Sequence, residues 1–131
     1  MMDRTEIALS TYWMRGRWER LADLMQAGEQ CGFRRWEVSG LRCDTFYDEF
    51  PPGRLDVTAF HCPAPPVSGG AGALGNREML QADISLVSLD DGRRRQAVAI
   101  VQRCLAVAAD YGACAVVVHL GADGSDPQLV E

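Results

Sequence analysis

Apolar residues come in short blocks along this chain, and the spacing inside each block predicts an element. Ile7, Ala8 and Leu9 lie in a short apolar run that predicts a first strand over 7–11. A turn over 12–17 carries Tyr12 and Trp13. Trp18, Leu21, Ala22, Met25 and Gly28 then recur at three- and four-residue steps, one apolar stripe of a helix over 18–31 that Gly32 stops. Residues 33–39 alternate, with Trp36 and Val38 on one face and Arg35 and Glu37 on the other, which predicts a second strand. The stretch 40–53 is irregular, with room for one helical turn around Phe46, Tyr47 and Phe50. A third strand over 55–61 ends at His61, and a Pro- and Gly-rich flexible loop over 62–76 follows. Residues 82–89 have no clear period and are compatible with an extended segment. Ser88 or Asp90 supplies an N-cap for a long helix ending near Tyr111, with Ala97, Ile100, Val101, Cys104, Leu105 and Ala108 as its buried stripe. Gly112 ends that helix. Residues 115–118 read as a strand covered on both faces, with His119 at its end and a polar tail over 122–131 beyond.

Strands alternating with helices predict an α/β fold, a parallel sheet with right-handed helical crossovers, in one domain over 1–131. Strand order is not legible in the pattern, so a small flavodoxin-like open sheet is one alternative. One internal echo narrows the geometry. Residues 32–39 align without gaps on 112–119, each a Gly helix stop followed by a strand. If Val116 and Val118 face the covering helices, Glu37, Ser39 and His119 all face the other way.

Composition adds exclusions. The chain has 131 residues and a net charge of −5, which argues against a nucleic-acid partner. All thirteen basic residues are Arg, so a Schiff-base or P-loop lysine is ruled out. The five cysteines, Cys31, Cys43, Cys62, Cys104 and Cys114, show no CxxC spacing, and most are expected as small core residues. Residues 1–6 lack the apolar region of a signal peptide, and no apolar run approaches the length of a bilayer span. These features predict a reduced, cytoplasmic protein without a membrane partner.

The candidate chemistry sits at strand ends, the edge where α/β folds bind ligands. His61 and His119 are the only histidines, and two imidazoles at neighbouring strand ends could share one metal ion. Alternatively each is a polar residue satisfied by the backbone. Glu37 lies inside a strand and must be paired; it is either part of the site or held by an arginine such as Arg35. The GxGxxG spacing over 70–75 follows no strand and is not a nucleotide fingerprint. Arg93, Arg94 and Arg95 fit a solvated helix face. Cys62 follows His61 directly and points to the opposite side of the strand.

The segments Thr58-Ala-Phe-His-Cys-Pro-Ala-Pro-Pro66, Ser88-Leu-Asp-Asp-Gly-Arg-Arg-Arg-Gln-Ala-Val98 and Ala109-Asp-Tyr-Gly-Ala-Cys-Ala-Val-Val-Val-His-Leu-Gly121 together resemble the sugar phosphate isomerase/epimerase family. That family has the xylose isomerase-like TIM barrel, which it shares with endonuclease IV. His61-Cys62-Pro63 is similar to its His-x-Pro segment after the third strand. Val117-Val118-His119-Leu120-Gly121 resembles its segment at the fourth, and Glu37 stands near a glutamate that commonly ends its second strand. The resemblance implies the N-terminal half of a (β/α)₈ barrel, since a full barrel needs about 250 residues. It implies metal-assisted isomerisation or epimerisation of a sugar or sugar phosphate, with His61 and His119 as ligands of a divalent Zn, Mn or Mg ion or as substrate contacts. Glu37 would support them or act as the catalytic carboxylate. The family's principal carboxylates lie on later strands and have no counterpart here, so the chain would be a piece of a longer protein or would associate with a complementary half-barrel or another copy of itself. Without those carboxylates the scaffold could instead serve as a non-catalytic interaction domain. An endonuclease IV-like nuclease fits less well, because no basic stripe marks the strand-end loops.

Overall fold

The computed structural model describes residues 6–14, 17–39, 46–63 and 84–120. The expectations for the glycine-rich loop, the tail over 122–131 and Cys43 lie outside the described residues.

In chain order the elements are β1 (Ala8–Ser10), a 3₁₀ turn (Thr11–Met14), α1 (Leu21–Gln30), β2 (Arg35–Val38), α2 (Phe46–Glu49), β3 (Asp56–His61), α3 (Asp91–Asp110) and β4 (Ala115–Val117). The four strands form one sheet in the order β1-β2-β3-β4, every neighbouring pair parallel. An α/β fold is therefore present. The flavodoxin-like alternative is not, because that topology places β1 inside the sheet and here β1 lies outermost.

Element limits follow from local chemistry. The first helix starts at Leu21, later than expected, because Arg20 is extended and offers no capping side chain. Trp18 stays outside the helix yet packs on the core. Gly32 and Gly112 adopt φ of 90° and 67°, conformations that disfavour a side chain, and each turns the chain from a helix into the next strand. At the start of α3, the Asp90 carboxylate accepts the Arg93 N–H at 2.9 Å. That bond holds the Asp90 carboxyl below the usual carboxylate range. Arg94 and Arg95 pair with Asp91, as a solvated helix face would. The described part of 82–89 is turn and not strand; the Ser88 N–H donates to the Ser85 carbonyl.

The core lies on one face of the sheet. Leu9, Trp36, Val38, Val57, Phe60 and Cys62 point to it and meet Leu21, Leu24 and Met25 from α1 and Cys104 and Ala108 from α3. Phe46, Phe50, Phe60 and Tyr111 form a ring cluster beside β3, and the Tyr111 hydroxyl donates to the Phe50 carbonyl at 2.7 Å. Leu105 does not join this core but is half exposed. At 100° per residue it stands about 80° from the line of Ala97, Cys104 and Ala108, beyond the part of α3 that reaches the sheet.

Two further expectations are corrected here. β4 is covered on one side only: Val116 and Val118 pack on the core, whereas Ala115 and Val117 are exposed. Of the described cysteines, Cys62 and Cys104 are buried, Cys31 and Cys114 are exposed, and none of the four is in a disulfide. Cys31 caps α1 beyond its buried stripe, and Cys114 precedes β4 on the open side. No described helix is long and apolar enough to cross a membrane.

A buried clasp joins the ends of β1 and β2. The Thr11 hydroxyl donates to the Ser39 carbonyl and accepts the Ser39 N–H, both at 2.8 Å, with Thr11 fully buried. Thr11→Val keeps the shape and strands both Ser39 groups. It is expected to cost about 1–3 kcal/mol, read as a lower urea midpoint with an unchanged slope.

Candidate active site at the carboxyl edge of the sheet

The face opposite the core carries the site. Partners in adjacent parallel strands share a face, so the register places Ser10, Glu37, Ala59 and Ala115 in one row there and His61 beside Val117 in the next. His119 lies two residues past Val117 and points the same way. The orientation expected for Glu37 and His119 is therefore the one found. Ser39, grouped with them in the sequence, is buried and engaged by Thr11.

The three side chains meet. His61 Nδ1 lies 3.1 Å from Glu37 Oε1, and His61 Nε2 lies 2.5 Å from His119 Nε2. The ring centroids are 4.7 Å apart with 24° between planes. That separation is close to the nitrogen gap plus two ring radii, so the rings meet end-on, nitrogen to nitrogen. A carboxylate can only accept, so Nδ1 of His61 carries the hydrogen, and in the neutral ring Nε2 then presents its lone pair to His119. One proton shared between the two Nε2 atoms satisfies this arrangement.

Glu37 is not held by Arg35. Arg35 pairs instead with Asp56, Nε to Oδ2 at 3.2 Å, near the opposite end of the strands. Arg35 and Glu37 share a face two residues apart, and each finds its partner on β3. Glu37 and His61 are both partly buried, which screens their bond less than the exposed Arg35–Asp56 pair.

Cys62 points into the core as expected and does not contribute a nucleophile. Its hydrogen bond with Cys104, together with burial, pushes the thiol far up and keeps it protonated. Burial, with Tyr111 and Cys104 nearby, raises the Tyr47 phenol to about 12, so this cluster stays neutral.

The donor set matches a metal site in kind. An imidazole whose second nitrogen is held by a carboxylate is the usual outer support of a metal-binding histidine. In number it is partial, since a catalytic zinc commonly takes three protein ligands and no group of three His, Cys, Asp or Glu is placed for an ion among the described residues. Two Zn–N bonds of about 2.0–2.1 Å at a tetrahedral angle need nitrogens roughly 3.3 Å apart. Because the two Nε2 atoms face each other end-on, the exposed His119 ring would have to turn as well as move out for both lone pairs to converge on one ion.

Sequence reasoning missed Thr58. The register pairs Trp36 with Val57 but Glu37 with Ala59, so Thr58 is an extra residue, a bulge in β3. The signal was legible: Val57 and Phe60 are both buried, yet stand three apart, which strict alternation cannot bury on one face.

Searches against family models, curated proteins and solved structures found no match to this chain.

Proposed function

We propose that this chain is the N-terminal half of a sugar phosphate isomerase/epimerase-like barrel that isomerises or epimerises a sugar or sugar phosphate with a divalent Zn, Mn or Mg ion. The observation that carries the reading is the end-on His61–His119 pair backed by Glu37 at the carboxyl edge of a parallel sheet. The sequential strand order, which a (β/α)₈ barrel also requires, supports the half-barrel. The open face with Val117 and His119 would be the barrel interior, closed by a complementary half-barrel from the rest of the protein or from a second copy. Four described cysteines outside any disulfide suit a reducing, cytoplasmic setting.

In this reading His61 and His119 would hold the ion through Nε2. Such an ion would polarise the oxygen of a carbonyl and so acidify the adjacent C–H. Glu37 keeps the hydrogen on Nδ1 of His61 and fixes its ring. His119 is exposed at the strand end, where an ion or substrate oxygen would meet it.

Titration calorimetry with Zn²⁺ and Mn²⁺ tests the ion. Wild type is expected to bind weakly, with affinity falling as the imidazoles protonate at lower pH. Losing either ligand, in His61→Ala or His119→Ala, is expected to abolish binding, and Glu37→Gln to weaken it by about 10–100-fold. Identical isotherms for wild type and His119→Ala would remove the shared-ion reading. The lack of a third ligand among the described residues favours one other reading, a non-catalytic interaction domain on this scaffold; a wild type that binds no ion would favour it.

A further inference from the structure

The geometry points to Thr58 as the positioning residue of this site: the bulge it forms in β3 ties together the three strands that carry Glu37, His61 and His119. This goes beyond the sugar reading and does not depend on it.

Thr58 is bonded in both directions across the sheet. Its hydroxyl donates to the Trp36 carbonyl on β2 at 3.3 Å, next to Glu37. Its own carbonyl accepts the Cys114 N–H at 3.0 Å and the Cys114 thiol at 3.1 Å, at the entry to β4. One residue therefore couples the register of β2 and β4 to β3; β2 carries Glu37, and His119 lies two residues past the end of β4. Bulges are rare between parallel strands, increase local twist, and re-aim side chains near active sites.

The bulge also decides which way His61 points. In a straight ladder of the same sequence Glu37 would pair with Thr58, which puts Phe60 on the open face and His61 against the core. Burying a phenylalanine ring is favourable, and in the bulged register Phe60 is fully buried. The same force that buries Phe60 thus turns His61 toward Glu37. Thr58 bonds the bulge on both sides, and the added twist sets the angle at which the His61 ring meets Glu37 on one side and His119 on the other.

Nitrogen-15 NMR of the histidine rings tests this, above the pH range in which imidazole protonates. Wild type is expected to show His61 predominantly with hydrogen on Nδ1. Thr58→Val, which keeps the β-branched shape and loses the hydroxyl, is expected to shift His61 toward the tautomer mixture of free imidazole, at unchanged far-UV circular dichroism. Thr58→Ser is expected to restore the wild-type pattern. Deleting Thr58 gives a straight ladder that still leaves Ala59 and His61 on the open face, and it too is expected to lose the Nδ1–H state. A folded Thr58→Val or a folded deletion that retains the wild-type tautomer would overturn the proposal, because face alternation alone would then suffice. If neither variant folds, cross-strand NOEs in the wild type decide: Glu37 paired with Ala59 supports the bulge, and Glu37 paired with Thr58 overturns it.

Discussion

Trp36→Ala is expected to destabilise the protein by about 3–5 kcal/mol, the largest loss expected of any single truncation in this core. Trp36 is buried on β2 between α1 and the sheet, and it is among the largest fully buried side chains. Its ring is accommodated by Gly28 on α1. A Cβ built there would stand 2.4 Å from Trp36 Cη2 and 3.1 Å from Leu9 Cδ2. Gly28→Ala is therefore expected to cost about 1–3 kcal/mol through overpacking, although alanine is the better helix former by roughly 1 kcal/mol. The two sites share one contact and should not add. In a Trp36→Phe background, where the far ring edge is gone, Gly28→Ala should become nearly neutral. Urea unfolding of the four proteins in that cycle checks this. Equal penalties for Gly28→Ala in both backgrounds would show that the helix and the strand do not approach this closely.

Much of the fold was legible because its periods are clean. The α3 stripe, the glycine stops at Gly32 and Gly112, and the alternation in Arg35-Trp36-Glu37-Val38 each report one local geometry. The site was legible in part for the same reason, since strand parity placed Glu37 and His119 on one face. What was not legible is relational. Whether Glu37 binds Arg35 or His61 depends on which β3 residue stands beside each, and that register passes through the Thr58 bulge. Leu105 and the outer face of β4 were misjudged because apolar character shows that a residue can be buried, not that a neighbouring layer lies against it. The exposed Val117 shows this most clearly: an apolar side chain on the open face, in the same row as His61.

The 131-residue chain on its own is expected to show no measurable isomerase or epimerase turnover, whichever metal is supplied. Moving a proton next to a carbonyl needs a base within about 3 Å of the carbon acid. At the carboxyl edge of the described sheet the candidates are Glu37, His61 and His119. Glu37 is engaged with His61 Nδ1, and His61 presents its remaining nitrogen to His119. If both Nε2 atoms hold an ion or a substrate oxygen, no free base is left among these three. Glu37 could serve only by releasing His61, which would cost the site its orientation. The base of the proposed reaction must therefore come from groups other than this triad, as the half-barrel reading requires. Incubation with a panel of ketose phosphates in D₂O, followed by proton NMR, checks this directly: the C–H signal next to the carbonyl should persist over the time in which a competent isomerase would exchange it completely. Metal-dependent loss of that signal which disappears in Glu37→Gln would identify Glu37 as the base and make the four-stranded unit catalytically self-sufficient.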